Sequence, residues 1–549
     1  MSAKIIKYGD DARKEIFQGM EQVAKTVMVT MGPKGKNVLL SKSFGAPVPT
    51  NDGVTVAKEI EFEDQYHNTG AAIVKEAADK TNKQAGDGTT TTTTLLYGIA
   101  NEGQRYIRAG VNPFALSKGL HKGVAKIIEE LQTKATPVSN KEEIKQVASI
   151  SAQDEEVGQL IADIIDEVGK DGVISVEEGK SMGLTKEVVI GMQFDQGYGS
   201  PYFVSDPQRM EAVIENASLL ITDKKISSLK DIINVLESLA ATGRKNIVII
   251  ADDVEGEALT SLVLNKMRGA INVLTVKAPG FGDRKKEILK DIAAVTGATV
   301  ITEELGLKLE EATLDMLGAA DKVISSKDKT TIVGGKGELS DIDARVNDIN
   351  AQFERSSSDY DKEKLAERKA RLVGGVAVIK VGAATEMEMK NKKYKIEDAL
   401  NATRAAVEEG IVPGGGVTLA NIAKSLEHFN LEDADEHIGI EILKEAIQYP
   451  VKKIADNAGY KGDWVVEAIK AQDEFNFGFD AKTGEFKNML QAGIIDPAKV
   501  LRVSLENAVS AAAMFLTTDA IIVDAPKKDE PMAGAGMGGM GGMGGMDMY

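Results

Sequence analysis

Cysteine is absent from the 549 residues, and histidine occurs only four times. A disulfide, a thiolate nucleophile and a zinc–cysteine site are therefore excluded, and the histidines show no metal-ligand spacing. Any catalysis must rest on carboxylates, hydroxyls and bound ions. No apolar run reaches the length of a membrane-crossing helix, so no membrane span is expected. The opening Met1-Ser2-Ala3-Lys4-Ile5-Ile6-Lys7-Tyr8 lacks the apolar core of a signal peptide, and a cytoplasmic location is the expectation. Positive charge is in short supply: 66 Lys and Arg stand against 84 Asp and Glu, for a net charge of −18. Nucleic acid and anionic membrane surfaces are thus poor partners, because their phosphates would be repelled. Walker and protein-kinase patterns are missing as well.

What is present centres on Gly86-Asp87-Gly88 followed by six threonines, Thr89 to Thr94. Helical periodicity runs on both sides, with Ala71, Val74, Ala77, Ala78 and Thr81 before it and Leu95, Leu96, Ile99 and Ile107 after it. Each threonine gives up about 0.5 kcal/mol of helix propensity against alanine, so the run implies that hydroxyls are needed. Glycines flanking an aspartate let backbone N–H groups converge, and a helix start adds its positive dipole end. A bare phosphate would be repelled by Asp87. A phosphate chain carrying Mg²⁺ suits the motif better, and a plain Gly-Asp-Gly helix cap is the simpler alternative.

Residues 10 to 30 read as an amphipathic helix ending at Thr30-Met31-Gly32-Pro33-Lys34-Gly35, a turn able to approach phosphate or merely to join helix to strand. Val38-Leu39-Leu40 and Val54-Thr55-Val56 read as short strands about a hairpin turn at Asn51-Asp52-Gly53. Helical pattern continues to about 133, and a small mixed segment runs to about 189. From 190, strand-like stretches at Ala217–Thr222, Asn246–Ile250, Val273–Val276 and Thr299–Ile301 alternate with helices, the pattern of an α/β unit with partly parallel strands. Residues 339 to 372 read as a charged helical hairpin. Asp398 stands near the expected opening of a helix that runs to Glu409, where the dipole favours an acid with or without a catalytic task. Gly414-Gly415-Gly416 precedes a long helical region, and residues 524 to 549, rich in Gly-Gly-Met, are expected to form a flexible tail.

Taken together, Val29-Thr30-Met31-Gly32-Pro33-Lys34-Gly35, Asn51-Asp52-Gly53-Val54, Ala85 to Thr90, Ala278-Pro279-Gly280-Phe281-Gly282-Asp283-Arg284, Gly374 to Val378, Ala405 to Gly410, Gly414-Gly415-Gly416 and the Gly-Gly-Met tail resemble the group I chaperonins, the 60 kDa GroEL-type proteins. The resemblance spans essentially the whole chain. It implies a mixed α and α/β chaperonin fold: a mostly helical, discontinuous equatorial domain (1–133 and 410–523), a small α+β intermediate domain (134–189 and 377–409), an α/β apical domain (190–376) and a tail from 524 to 549. It further implies ATP hydrolysis coupled to protein folding, with non-native polypeptides as clients. A GroES-type co-chaperonin and seven-membered rings, stacked in pairs, belong to the same expectation.

By the same resemblance Thr30, Met31, Gly32, Pro33, Asn51, Asp87, Gly88, Thr89, Thr90, Thr91, Gly415, Asp480, Ala481, Ile494 and Asp496 are expected to line the ATP site. Asp87 is expected to hold Mg²⁺, Thr30, Asn51 and Thr90 to lie near K⁺, and Asp398, assisted by Asp52, to orient or deprotonate the attacking water. Tyr198, Tyr202, Phe203, Ile233, Leu236, Leu259, Val263 and Leu264 are expected on the client surface, and Leu236, Leu264 and Asn265 at the co-chaperonin contact. Read without the family, the apolar stripes among them are ordinary core packing. Several positions depart from the commonest pattern: Asn51 replaces lysine, Met31 leucine, Asp480 asparagine, Gly199 a bulkier apolar residue, and Lys395 arginine. The competing readings are an ATP-dependent ligase or kinase acting on a small substrate, and a passive peptide-binding scaffold.

Overall fold

The computed structural model describes residues 3–41, 47–138, 140–152, 154–169, 172–179, 182–207, 209–356 and 358–525. The Gly-Gly-Met segment and the rest of the expected tail beyond 525 lie outside these, as does Ser357 in the expected break at 356–358. Contacts divide the chain into two compact units. One joins residues 1–135 to 412–549, and the other comprises 136–411. Among the described residues no helix is long and apolar enough to cross a membrane.

The first unit is built from long amphipathic helices, Gly9–Met28, Gln65–Ala85, Thr89–Arg108, Pro113–Lys134, Ala434–Ala446 and Ala498–Leu516. Ile16, Met20, Val23 and Val27 fall on one stripe of the first of these and are buried in a core shared with Leu95, Leu96, Ile99 and Leu505. Three of the helices begin with Asp64, Asn112 and Asp433, whose carboxylate or amide oxygens accept from the first free backbone N–H groups. The ends of the chain meet in an antiparallel pair, Lys4–Tyr8 with Ala520–Asp524.

One expectation near the N-terminus fails here. Val54, Thr55 and Val56 are not a strand but part of the Gly53–Glu59 helix, which Asp52 caps through Val54 N at 3.2 Å and Thr55 N at 2.9 Å. The cap overrides the β-propensity of the two valines and the threonine. The strand that does pair with Val38–Leu40 is Val48–Thr50.

The second unit contains a six-stranded sheet in the order Asn272–Lys277, Asn246–Ala251, Ala212–Ile221, Gly318–Ser325, Thr330–Gly335, Gly191–Phe194. The first three strands are parallel, with helices as crossovers, and the others antiparallel. Thr299–Ile301 contributes only a single bridge, Ile301 to Thr222, rather than a strand. A second, three-stranded sheet sets Val376–Gly382 between Val173–Glu178 and Gly183–Val189. The charged hairpin is present as helices Leu339–Arg355 and Asp359–Val373. It is tied to the Gly282–Thr296 helix by Asp291, which is 2% exposed and receives Arg345 at 2.8 Å and Arg368 at 2.9 Å.

Asp398 does not open a helix. The helix spans Glu386–Glu409, capped by Thr385, and Asp398 sits exposed near its middle, so the dipole gives no reason for an acid there.

Candidate functional site

The helices Gln65–Ala85 and Thr89–Arg108 are joined by a turn that only glycine accommodates. Gly86 closes the first at φ 73 and Gly88 opens the second at φ 90, both in the left-handed region. A Cβ on Gly88 would also lie 2.6 Å from Ser504 Oγ and 2.7 Å from Val500 Cγ1. Ser504 Oγ in turn donates to Gly88 O at 3.2 Å, which fixes the turn against the Ala498–Leu516 helix. No side chain caps the Thr89–Arg108 helix. Its first-turn N–H groups, and the positive end of its dipole, are left for an external anion.

The threonine run divides in two. Thr92, Thr93 and Thr94 are buried, with Thr92 donating to Thr81 Oγ1 at 2.9 Å and Thr94 to the Thr90 carbonyl at 2.7 Å. The Thr92 and Thr94 hydroxyls are thus taken up inside the protein, while the buried Thr93 Oγ1 has no hydrogen-bond partner. Thr90 and Thr91 are half-buried, and Thr89 is buried at the helix start.

Asp87 projects from this turn. Its carboxylate accepts from Gly88 N at 2.5 Å. The side chain is exposed to solvent. Desolvation by the surrounding protein, and then the charge of Asp52, push its pKa up, although Gly88 N–H donates to it. Asp496, in the Ile495–Pro497 strand, joins it: burial first, then the charge of Asp87, push its carboxyl up to about 7, although Gly415 N–H donates to it. Gly415 (φ 70) and Gly416 (φ 78) precede the Val417–Ser425 helix, another helix without a side-chain cap. Asp52 is brought to the same region because Gly53 packs on Thr90, where a Cβ would come within 2.3 Å of the hydroxyl. Two carboxyls, Asp87 and Asp496, whose pKa values are pushed up by burial and by a neighbouring negative charge, suit a cation. Among the described residues no three or more such side chains could hold a metal unaided. The donor set fits Mg²⁺, which takes one or two carboxylates and completes its shell with phosphate oxygens and water.

Beside the acids lies an apolar cluster of Met31, Val417, Val451, Ile454, Phe479, Ala481 and Met489, with half-buried Ile494 packed on it. Gly32 (φ 84) takes the chain past Ile454 Cγ2, to which a Cβ would come within 3.0 Å. Asn457 Nδ2 holds the preceding turn through Met28 O and Met31 O, both at 2.9 Å. Thr30 is half-buried and donates to Val27 O at 2.9 Å, while Pro33 and Asn51 are exposed. Asp480 is committed elsewhere. Burial would raise its pKa, but Lys487 at 2.9 Å and Thr483 at 2.9 Å outweigh that and hold it below the usual range. Ser504, Asn457, Ile454 and Met489, which shape the site from remote helices and a loop, carry no motif that would have singled them out.

In the second unit, Tyr202 and Leu264 are exposed, and Tyr198, Ile233, Leu236, Leu259, Val263 and Asn265 are half-buried. Val235, Leu239, Ala258 and Leu262 are the positions of those helices that enter the core. Phe203 corrects the expectation: it is fully buried, with the Lys266 ammonium 5.6 Å from its ring, and offers no surface. Gly199 has a physical reason to depart from a bulkier residue, since a Cβ there would lie 2.4 Å from Thr275 Oγ1. Asp398 belongs to this second unit.

A mostly helical unit and an α/β unit with a half-exposed apolar helix pair make up a mixed α and α/β fold. The solved chaperonin gp146 from bacteriophage EL 2 (Pseudomonas aeruginosa), crystallised in the presence of ATP-BeFx, is similar in fold. The TM-score is 0.65 at 24% sequence identity, over 94% of this chain and 99% of that one. The model of the TCP-1/cpn60 chaperonin family matches residues 23–526, and the chain belongs to that family.

Proposed function

We propose that the chain is an ATP-hydrolysing chaperonin that captures non-native polypeptides and releases them through its nucleotide cycle. The observation that carries this reading is the Asp87–Asp496 pair beside the uncapped, glycine-initiated Thr89–Arg108 helix. In it, the N–H groups of Thr89, Thr90 and Thr91 receive phosphate oxygens, and the Met31–Ile454–Ile494 surface and Ala481 receive the base. Asp87, with Asp496, would hold Mg²⁺, which neutralises charge on the transferring phosphoryl group. Thr30, Thr90 and the Asn51 backbone would lie about K⁺. Asp398 positions or deprotonates the attacking water with help from Asp52, so chemistry that needs no histidine or cysteine suffices. Because Asp398 and Asp87 belong to different units, turnover would depend on closure.

Tyr198, Tyr202, Ile233, Leu236, Leu259, Val263 and Leu264 form the proposed client surface, with Leu236, Leu264 and Asn265 at a GroES-type co-chaperonin. Such capture needs no sequence code: about 500 Å² of buried apolar area contributes on the order of 12 kcal/mol before association costs. Release then needs a second conformation, which ATP favours only by binding it more tightly. Assembly into seven-membered rings, stacked in pairs, an equatorial–intermediate–apical division and a cytoplasmic site of action complete the reading.

Particle mass measured together with ATP hydrolysis, with and without a denatured protein and a co-chaperonin, tests it. A large ring that suppresses aggregation and discharges folded client on ATP is expected. A monomer turning over a small substrate would overturn the proposal in favour of a ligase or kinase.

A further inference from the structure

Only two non-glycine residues among those described have positive φ, and one of them, Met210 at φ 54, directly follows Arg209. A side chain in the left-handed region is held there at a cost that tertiary contacts must offset. The turn is closed by Glu211 N to Asp206 O at 3.1 Å and Asp206 N to Glu211 O at 2.9 Å, and Arg209 N donates to Asp206 Oδ1 at 3.2 Å. It leads straight into Ala212–Ile221, an interior strand of the six-stranded sheet. The turn is thus anchored to the middle of the sheet.

What the strained turn delivers is the Arg209 guanidinium. It meets Glu397 with both terminal nitrogens, NH1 to Oε1 at 2.6 Å and NH2 to Oε2, and lies 4.8 Å from the centre of the Tyr394 ring. Arg209 is 24% exposed and Glu397 18%, so the pair is shielded from screening. Tyr394 and Glu397 are three residues apart on the Glu386–Glu409 helix and share one face. A planar guanidinium lying over the ring of one and hydrogen-bonded and ion-paired to the other holds this turn of the helix directionally, beside the packing of its buried Ile396, Ala399 and Leu400, as a point charge would not. Lys395, exposed on the same helix, is not the source of the fork. The next residue after Glu397 is Asp398.

We propose that Arg209 is a positioning residue for ATP hydrolysis: by clamping Tyr394 and Glu397 it sets the direction in which Asp398 is presented. The proposal rests on the reading of Asp398 as the water-orienting carboxylate. Loss of the clamp leaves the other unit, with Asp87 and Asp496, untouched and loosens the helical turn that carries Asp398, so turnover falls while nucleotide affinity is kept.

The test is steady-state ATP hydrolysis by the assembled full-length protein, together with hydrogen exchange over residues 392–402. Arg209→Ala is expected to lower kcat about tenfold with KM for ATP unchanged and to speed exchange. Arg209→Lys, which keeps the charge and loses the fork, should fall between. The exchanged pair Arg209→Glu with Glu397→Arg should recover most of kcat and the protection, which a general packing defect would not do. Wild-type kcat in Arg209→Ala, alongside an inactive Asp398→Ala, would overturn the positioning role. So would an exchanged pair no faster than Arg209→Ala. Wild-type turnover in Asp398→Ala would instead overturn the reading of Asp398, and the clamp is then overturned if exchange in Arg209→Ala matches wild type.

Discussion

Asp87 and Asp496 come from opposite ends of the chain, and the charge of the first acts on the second, whose carboxyl is pushed up to about 7 by burial and by that neighbour. An acid whose folded pKa lies above its unfolded value stabilises the fold below the unfolded pKa, and the contribution is lost as pH rises through the folded one. Without Mg²⁺, the protein should therefore lose stability between about pH 4 and pH 7, by at most about 4 kcal/mol from this group. Asp496→Asn should flatten that slope and weaken Mg²⁺-dependent ATP binding. Urea unfolding at pH 5 and pH 8, paired with calorimetric ATP titration, checks both.

Asp52 has two roles that substitution can separate. It caps the Gly53–Glu59 helix and is proposed to assist hydrolysis. Asp52→Asn keeps an oxygen for the cap and should retain the melting temperature while lowering kcat. Asp52→Ala should lose about 1 kcal/mol of stability as well. Equal turnover in Asp52→Asn and wild type would remove the catalytic role and leave the cap.

Asp398→Ala should bind ATP with wild-type affinity and hydrolyse it slower by a factor on the order of 10² or more, the usual contribution of a positioned acid or base. Equilibrium nucleotide binding and single-turnover hydrolysis give the two readouts. Asp87→Ala should show the opposite pattern, with Mg²⁺-dependent binding itself lost.

On the α/β unit, Leu236→Ser or Leu264→Ser should abolish capture of an unfolded protein and leave basal ATP hydrolysis untouched. Phe203→Ser should behave differently, because its ring is fully buried. It should destabilise this unit by about 3–5 kcal/mol, seen as a lowered melting temperature before any binding assay is run.

Glu287 provides a control for the electrostatics of the helical hairpin. Partial burial would raise its pKa, but Arg345 and Lys290 outweigh that and hold it at about 2. A depressed acid stabilises the fold above its unfolded pKa, and the contribution is lost as pH falls through the folded value. Glu287→Gln should therefore cost on the order of 3 kcal/mol at pH 7 and progressively less from about pH 4.5 downward toward pH 2. Chemical unfolding across that range measures it.

Periodicity and composition by themselves determined the long helices, the alternating α/β region and the Gly86-Asp87-Gly88 turn, because these follow from spacing along the chain and from glycine's access to positive φ. They also excluded any chemistry that needs cysteine. Tertiary structure decided what adjacency along the chain cannot express. It turned Val54–Val56 into a helix through the Asp52 cap, buried Thr92–Thr94 and Phe203, and placed Asp398 mid-helix. Above all it brought Asp496 to Asp87, since the energy of two like charges depends on their separation in space and on the water excluded between them, and neither quantity is written in the order of residues.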